Sequence, residues 1–294
     1  MRTKSACITT FLAISLSALA LTACSGDATA PAVDAERVAL DRKVQELKDR
    51  YGWMGEYHTN GLEYVYAELS RTHGRKTQRE FCRVAAQAVK EFHRQARKGE
   101  IPFDLVDPAI ADETCGREMG GDRVGKNVLV GTPRLAKDEV SPLTISYVDQ
   151  IEQAINSATS RSGLLSSLLN IQYAAVANLP SDEAGVVVAV VSIATSSIDY
   201  WEVNLDKWIE VNTIDTPYSR GASMTPIPIA PVSYTPPKWW SNPFVQGFRK
   251  VLAADALGGA RVLYTTWRLG PIGWDAAAAA AVFSSVTMTG SLLF

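Results

Sequence analysis

Residues 181–204 read Ser181-Asp-Glu-Ala-Gly-Val186-Val-Val-Ala-Val-Val191-Ser-Ile-Ala-Thr-Ser-Ser-Ile-Asp-Tyr200-Trp-Glu-Val-Asn204. The run 186–194 is rich in β-branched residues, so by itself it fits a buried strand or a buried helix. Length and the opening decide between them. Residues 182–204 are far more than a typical strand, and Asp182 and Glu183 follow Pro180 where a helix start favours acids. The stretch is therefore read as a buried helix, and the fold class as mainly α.

The neighbouring segments agree with that reading. Residues 163–179 are apolar on most sides and form a second helix. Residues 141–158 open on Ser141-Pro142 and carry Ile145, Val148, Ile151 and Ile155 at helical spacing. Short links between successive helices predict an antiparallel bundle. Further upstream, residues 77–98 pair Thr77 with Glu80 as a capping box, and Phe81, Val84, Ala85, Ala88 and Phe92 line one side. Residues 57–71 repeat apolar side chains at Leu62, Val65, Tyr66 and Leu69, and 33–50 carry a ragged stripe of Val38, Leu40, Val44 and Leu47. A helical domain is thus expected over 35–215.

Downstream the composition changes. Seven of the 14 prolines fall between Pro217 and Pro243. Proline lacks the amide hydrogen and clashes with the preceding turn, so 216–243 is expected to be extended. Residues 244–294 are helical again, broken by Gly270-Pro271-Ile272-Gly273, and the second arm holds six consecutive alanines, 276–281. This is a helical hairpin of small residues, expected to pack on the helical domain. Residues 276–294 carry no charge, which meets the length test for a membrane span, yet Ser284, Ser285, Thr287, Thr289 and Ser291 lower the hydropathy. Similar small-residue hairpins occur in pore-forming bacteriocin-like peptides, and the alternative is a closely packed hairpin in water.

The N-terminus has a different logic. Arg2 and Lys4 precede an apolar run from Ala6 to Ala23, which closes on Leu21-Thr22-Ala23-Cys24. That is a secretory signal over 1–23. The Leu-x-Ala-Cys ending resembles the lipobox of bacterial lipoproteins. The resemblance implies cleavage before Cys24 and lipidation of its thiol, which would anchor the chain at the cell envelope. Ser25 stands where an Asp favours inner-membrane retention in that family, so the implied address in a diderm organism is the outer membrane, facing the periplasm. Residues 24–34 are small, polar and proline-containing, a flexible tether of about 10 residues.

Removing the signal takes away two of the 29 basic residues and none of the 31 acids, leaving 27 against 31 and a net charge of −4. This excludes the basic stripe of a nucleic-acid partner. The membrane, reached through the lipid, and an envelope protein or glycan are the expected partners. Export also bears on Cys82 and Cys115, the two cysteines left besides Cys24. In an oxidising compartment they read as a disulfide, worth about 3–4 kcal/mol in the chain-entropy picture. The three histidines at 58, 73 and 93 have no metal-ligand spacing, and no cofactor fingerprint occurs.

Two polar or aromatic clusters remain. His58, Asn60 and Glu63 sit together in Gly55-Glu-Tyr-His58-Thr-Asn60-Gly-Leu-Glu63-Tyr64. They form either a binding cluster or a helix cap, with Thr59 or Asn60 as N-cap and Glu63 reaching back. Gly55, His58, Leu62 and Tyr64 resemble a Gly-x-x-His-Asn-x-x-Leu-Asp-Tyr segment of an uncharacterised family of exported bacterial proteins. Tyr200-Trp201 resembles that family's Tyr-Trp pair, and Thr59 and Glu63 depart from its pattern. Trp239 and Trp240 lie on the proline-rich segment. There they either stack on sugar rings, sit at a membrane interface, or pack back on the body. No nucleophile elbow, phosphate loop or zinc-protease motif appears, so no catalytic residue is assigned. The sequence points to a non-enzymatic binding or structural module, with a membrane-active hairpin and an envelope glycan hydrolase as alternatives.

Overall fold

A computed structural model describes residues 30–72, 76–97, 140–213 and 243–293. All of its regular structure is helical, with no strand among the described residues: α1 (Ala30–Tyr51), α2 (Trp53–Arg71), α3 (Gln78–Arg97), α4 (Pro142–Ser157), α5 (Arg161–Asn178), α6 (Ser181–Thr213), α7 (Pro243–Thr266) and α8 (Pro271–Leu293), with a 3-10 turn at Trp267–Leu269. Residues 1–41 and 42–294 form separate compact units. In the first, α1 begins at Ala30, inside the stretch expected as tether, and Val38 is exposed.

The second unit is a two-layer helical body. One layer orders α3, α8, α7 and α4 side by side, and the other orders α2, α6 and α5. Stacking two layers buries the apolar face of each helix against the other. α6 is the stretch that decides the fold. Residues 184–191 are buried without a break, as an all-round apolar helix requires. The β-branched run costs a little helix propensity, and burial of its valines on every side outweighs it. α6 also runs on to Thr213, past the expected end at 204.

Local signals position the rest. Thr77 and Glu80 form the capping box: the Thr77 amide donates to Glu80 Oε2 at 2.9 Å, and the Glu80 amide donates to Thr77 Oγ1 at 3.3 Å. Ser141 caps α4 by accepting from the Thr144 amide at 3.3 Å, with Pro142 as its first residue. Glu183, at the start of α6, accepts from the hydroxyls of Ser141 and Thr144 and ties the two helix starts together.

The C-terminal hairpin packs on the helical domain. α7 and α8 lie against each other along most of their length. The turn is made by Gly270 at φ +66, which favours glycine, and by Pro271 at the first position of α8. The second arm therefore starts at Pro271 rather than at 274. A Cβ on Gly258 would stand 3.1 Å from the Ala280 carbonyl, so glycine is what allows this approach. Pro243 likewise belongs to α7. The rest of the segment 216–243 expected to be extended, the signal expected over 1–23, Cys24, Cys115, Trp239 and Trp240 lie outside the described residues.

Candidate functional site

His58 and Asp255 meet where the two layers touch. His58 comes from α2, Asp255 from α7, Ser197 and Trp201 from α6, and Ser285 from α8. Both titratable groups are fully buried, and His58 Nε2 lies 3.7 Å from Asp255 Oδ2. That is longer than a hydrogen bond. Oδ2 accepts from the Ser197 hydroxyl and, at 3.3 Å, from Trp201 Nε1. Asp255 Oδ1 and both ring nitrogens of His58 have no partner among the described residues.

Burial sets the charge state of this pair. It pushes the Asp255 carboxyl up to about 7, against the opposing pull of hydrogen bonds from Ser197 and Trp201. It pushes the His58 imidazole down to about 3. Between about pH 3 and 7 the carboxyl is protonated and the imidazole neutral. The order of groups also decides what chemistry is available. Serine activation needs the imidazole between hydroxyl and carboxylate. Here Ser197 donates to the carboxylate itself, and the imidazole stands on its other side.

The residues expected to form one cluster part company. α2 begins at Trp53, so Thr59 and Asn60 lie inside the helix and the capping reading is corrected. Thr59 instead donates back to the Glu56 carbonyl at 3.0 Å. His58 points into the core, Asn60 is exposed, and Glu63 faces the surface, where it accepts from Lys207 Nζ at 2.6 Å. Residues five apart on a helix point in different directions, and that separates them. Tyr200 and Trp201 do lie together in the core, with Trp208 Nε1 donating to the Tyr200 hydroxyl at 2.9 Å. Cys82 is buried on α3 and disulfide-bonded.

Asp255 was not singled out by sequence reasoning. The one signal is that it is the only acid in α7, a helix otherwise made of small, apolar and basic residues. Ser197 and Ser285 gave no signal, since hydroxyls in apolar helices usually bond their own backbone.

Two of the cavities among the described residues open on the surface of the second unit. One, of about 240 Å³, lies beside the α7–α8 turn, where Tyr51 stacks on Trp274 with ring centroids 4.2 Å apart and Arg50 flanks Tyr51 at 5.3 Å. The other, of about 290 Å³, is a groove between the end of α1, α5 and α6. Neither is lined by His58, Asp255, Asn60 or Glu63. Among the described residues no group of three or more His, Cys, Asp or Glu side chains could hold a metal ion. No family model, curated protein or solved structure matches the chain.

Proposed function

We propose that this chain is a lipid-anchored protein of the cell envelope, whose helical body is a non-enzymatic binding or structural module. The observation that carries the reading is the burial of the two most membrane-like helices. Residues 181–211 and 271–293 are long and apolar enough to cross a bilayer, yet both lie mostly inside the body. With those helices used as core, the lipid on Cys24 is the membrane attachment, and two or more acyl chains hold stably. The reversed order at Ser197, Asp255 and His58 further supports a body without turnover. Cys82 pairs with Cys115 in this reading, and Trp239 and Trp240 remain the residues through which a glycan or envelope protein would be met. The implied place is the outer membrane facing the periplasm, if the organism has one.

The test is metabolic labelling with palmitate followed by fractionation. The natural chain is expected to take the label and stay with membranes through a high-salt wash. The Cys24→Ser chain should take none and leave the membrane. Retention of unlabelled Cys24→Ser on the membrane would overturn the single-anchor reading. It would favour the second one, in which α7 and α8 insert. That reading draws on the uncharged stretch 276–294, and it requires the unlipidated chain to make vesicles leak, with the leak lost on deleting 244–294.

A further inference from the structure

The groove between α1, α5 and α6 has the build of a ligand site. Its walls are apolar: Leu165 and Leu169 from α5, Val188 and Val191 from α6. Leu169 remains 45% exposed there, as a leucine awaiting a partner would be. Gln172, one turn from Leu169, is only 3% exposed and lines the groove. Thr195 and Ser196 add hydroxyls on the α6 wall.

Charge selects the occupant. Lys48 lines the groove from α1, is exposed, and has no ion pair among the described residues. No acidic side chain lines the groove. An apolar trough with a cation at one edge and an amide within it matches a molecule with an apolar body and one negative head. The size bounds the body. A volume of about 290 Å³ is at the lower end of small-ligand sites. At about 30 Å³ per water-sized group it takes on the order of ten non-hydrogen atoms. That suits a short fatty acid.

We infer that the groove between α1, α5 and α6 binds a small amphipathic carboxylate, with its alkyl chain on Leu165, Leu169, Val188 and Val191 and its carboxylate held by Lys48 and Gln172. This rests on the reading of the body as a binding module and names the class of ligand that body takes.

The experiment titrates octanoate into the full lipidated chain in phosphatidylcholine nanodiscs, with empty nanodiscs as the blank. Saturable 1:1 binding above the blank is expected. Octylamine, of the same length and opposite charge, is expected to bind at least about tenfold more weakly, and Lys48→Glu to weaken octanoate by about tenfold or more, the loss of one charge-assisted contact. Leu169→Glu places a like charge on the wall and should abolish octanoate binding. Both substitutions are at exposed or half-exposed positions, and Val203→Glu, at a site 79% exposed on α6, is the control that should change nothing. Absence of saturable binding at about 1 mM octanoate overturns the proposal, as does equal binding of octylamine. Octanoate affinity within twofold of the natural chain in both groove variants overturns it too. Palmitate labelling at Cys24 reads separately: a labelled chain that ignores octanoate loses this ligand class and keeps its anchor.

Discussion

α3 and α8 pack against each other and are built by opposite rules. α3 buries Phe81, Ala85, Ala88 and Val89 on one side and leaves Arg83, Gln87, Lys90 and Arg94 in water. Its stability comes from one apolar stripe, a capping box and ion pairs such as Arg94 with Glu91 at 2.6 Å. α8 has no water side over residues 276–290, all of them buried. Its small side chains let neighbours come close on every side: Gly290 lies under the Phe81 ring, and Val282 faces α2 at Gly61. An amphipathic helix thus tolerates change over half its surface, whereas an all-round buried helix of small residues has almost no free position.

The sharpest way to break that contrast is to charge one helix and then the other. Ala279→Asp puts a carboxylate into the centre of α8 with nothing to pair it. Keeping such a group buried costs the fold about 4 kcal/mol at pH 7, a large share of the stability of most domains. Gln87→Asp, exposed on α3, should move stability by no more than about 0.5 kcal/mol. Urea unfolding followed by circular dichroism measures both. A mild Ala279→Asp would mean that α8 is wet, and the two-layer core would be wrong.

The second contrast lies within the core, between the dry alanine seam of α8 and the polar centre at His58 and Asp255. The Asp255 carboxyl titrates near 7 when folded against 3.8 as a free group, so its contribution to stability falls as pH rises from about 4 to 7. The His58 imidazole titrates near 3 against 6.5, so its contribution rises from about pH 3 to 6.5. The two slopes oppose each other. From this pair alone, stability should be flat between about pH 4 and 6.5, dropping on either side. Asp255→Asn removes one slope. Stability should then climb with pH from about 3 to 6.5, by about 1.4 kcal/mol per pH unit. A flat profile in the Asn variant, read by urea midpoints across pH, would show that His58 is not held neutral by burial.

What the residues announced, and what they did not, follows the same division. α3 was readable because its stripe repeats with the helical period and its cap is a local pattern, Thr77 with Glu80. α6 was readable from length and an acidic start, although its valines suit a strand. α8 was readable as a helix expected to pack on the helical domain, but an uncharged stretch of its length also passes for a membrane span, and the surrounding α2, α3 and α7 distinguish the two. The polar centre was not readable. His58, Ser197, Asp255 and Ser285 are scattered over more than 200 residues, and no spacing rule connects four helices that meet only once folded. Asn60 and Glu63 looked like companions of His58 because they are near it in sequence, while the helix turns them outward.

The capping box gives the next smaller effect. Thr77→Ala removes the acceptor of the Glu80 amide, and loss of such a cap costs about 1 kcal/mol. It should lower the urea midpoint slightly without changing the slope, since α3 keeps its buried stripe. A loss several times larger would mean that Thr77 holds more than its own helix end.

The smallest expected effect falls on Glu63, a residue whose neighbourhood first suggested a site. Its carboxylate is half-exposed and its partner Lys207 lies against the Tyr66 ring at 4.6 Å. A pair so open to water contributes between about 0 and 1 kcal/mol. Glu63→Gln should therefore leave stability nearly unchanged, and the difference should shrink further in high salt, where exposed charges are screened. Loss of binding to an envelope glycan or protein, with stability intact, would instead return Glu63 to the binding surface that its sequence neighbourhood first suggested. Read together with Ala279→Asp, the substitution spans the range of the contrast: an exposed charge on α2 that is nearly free to go, and a buried position on α8 where no charge can be placed.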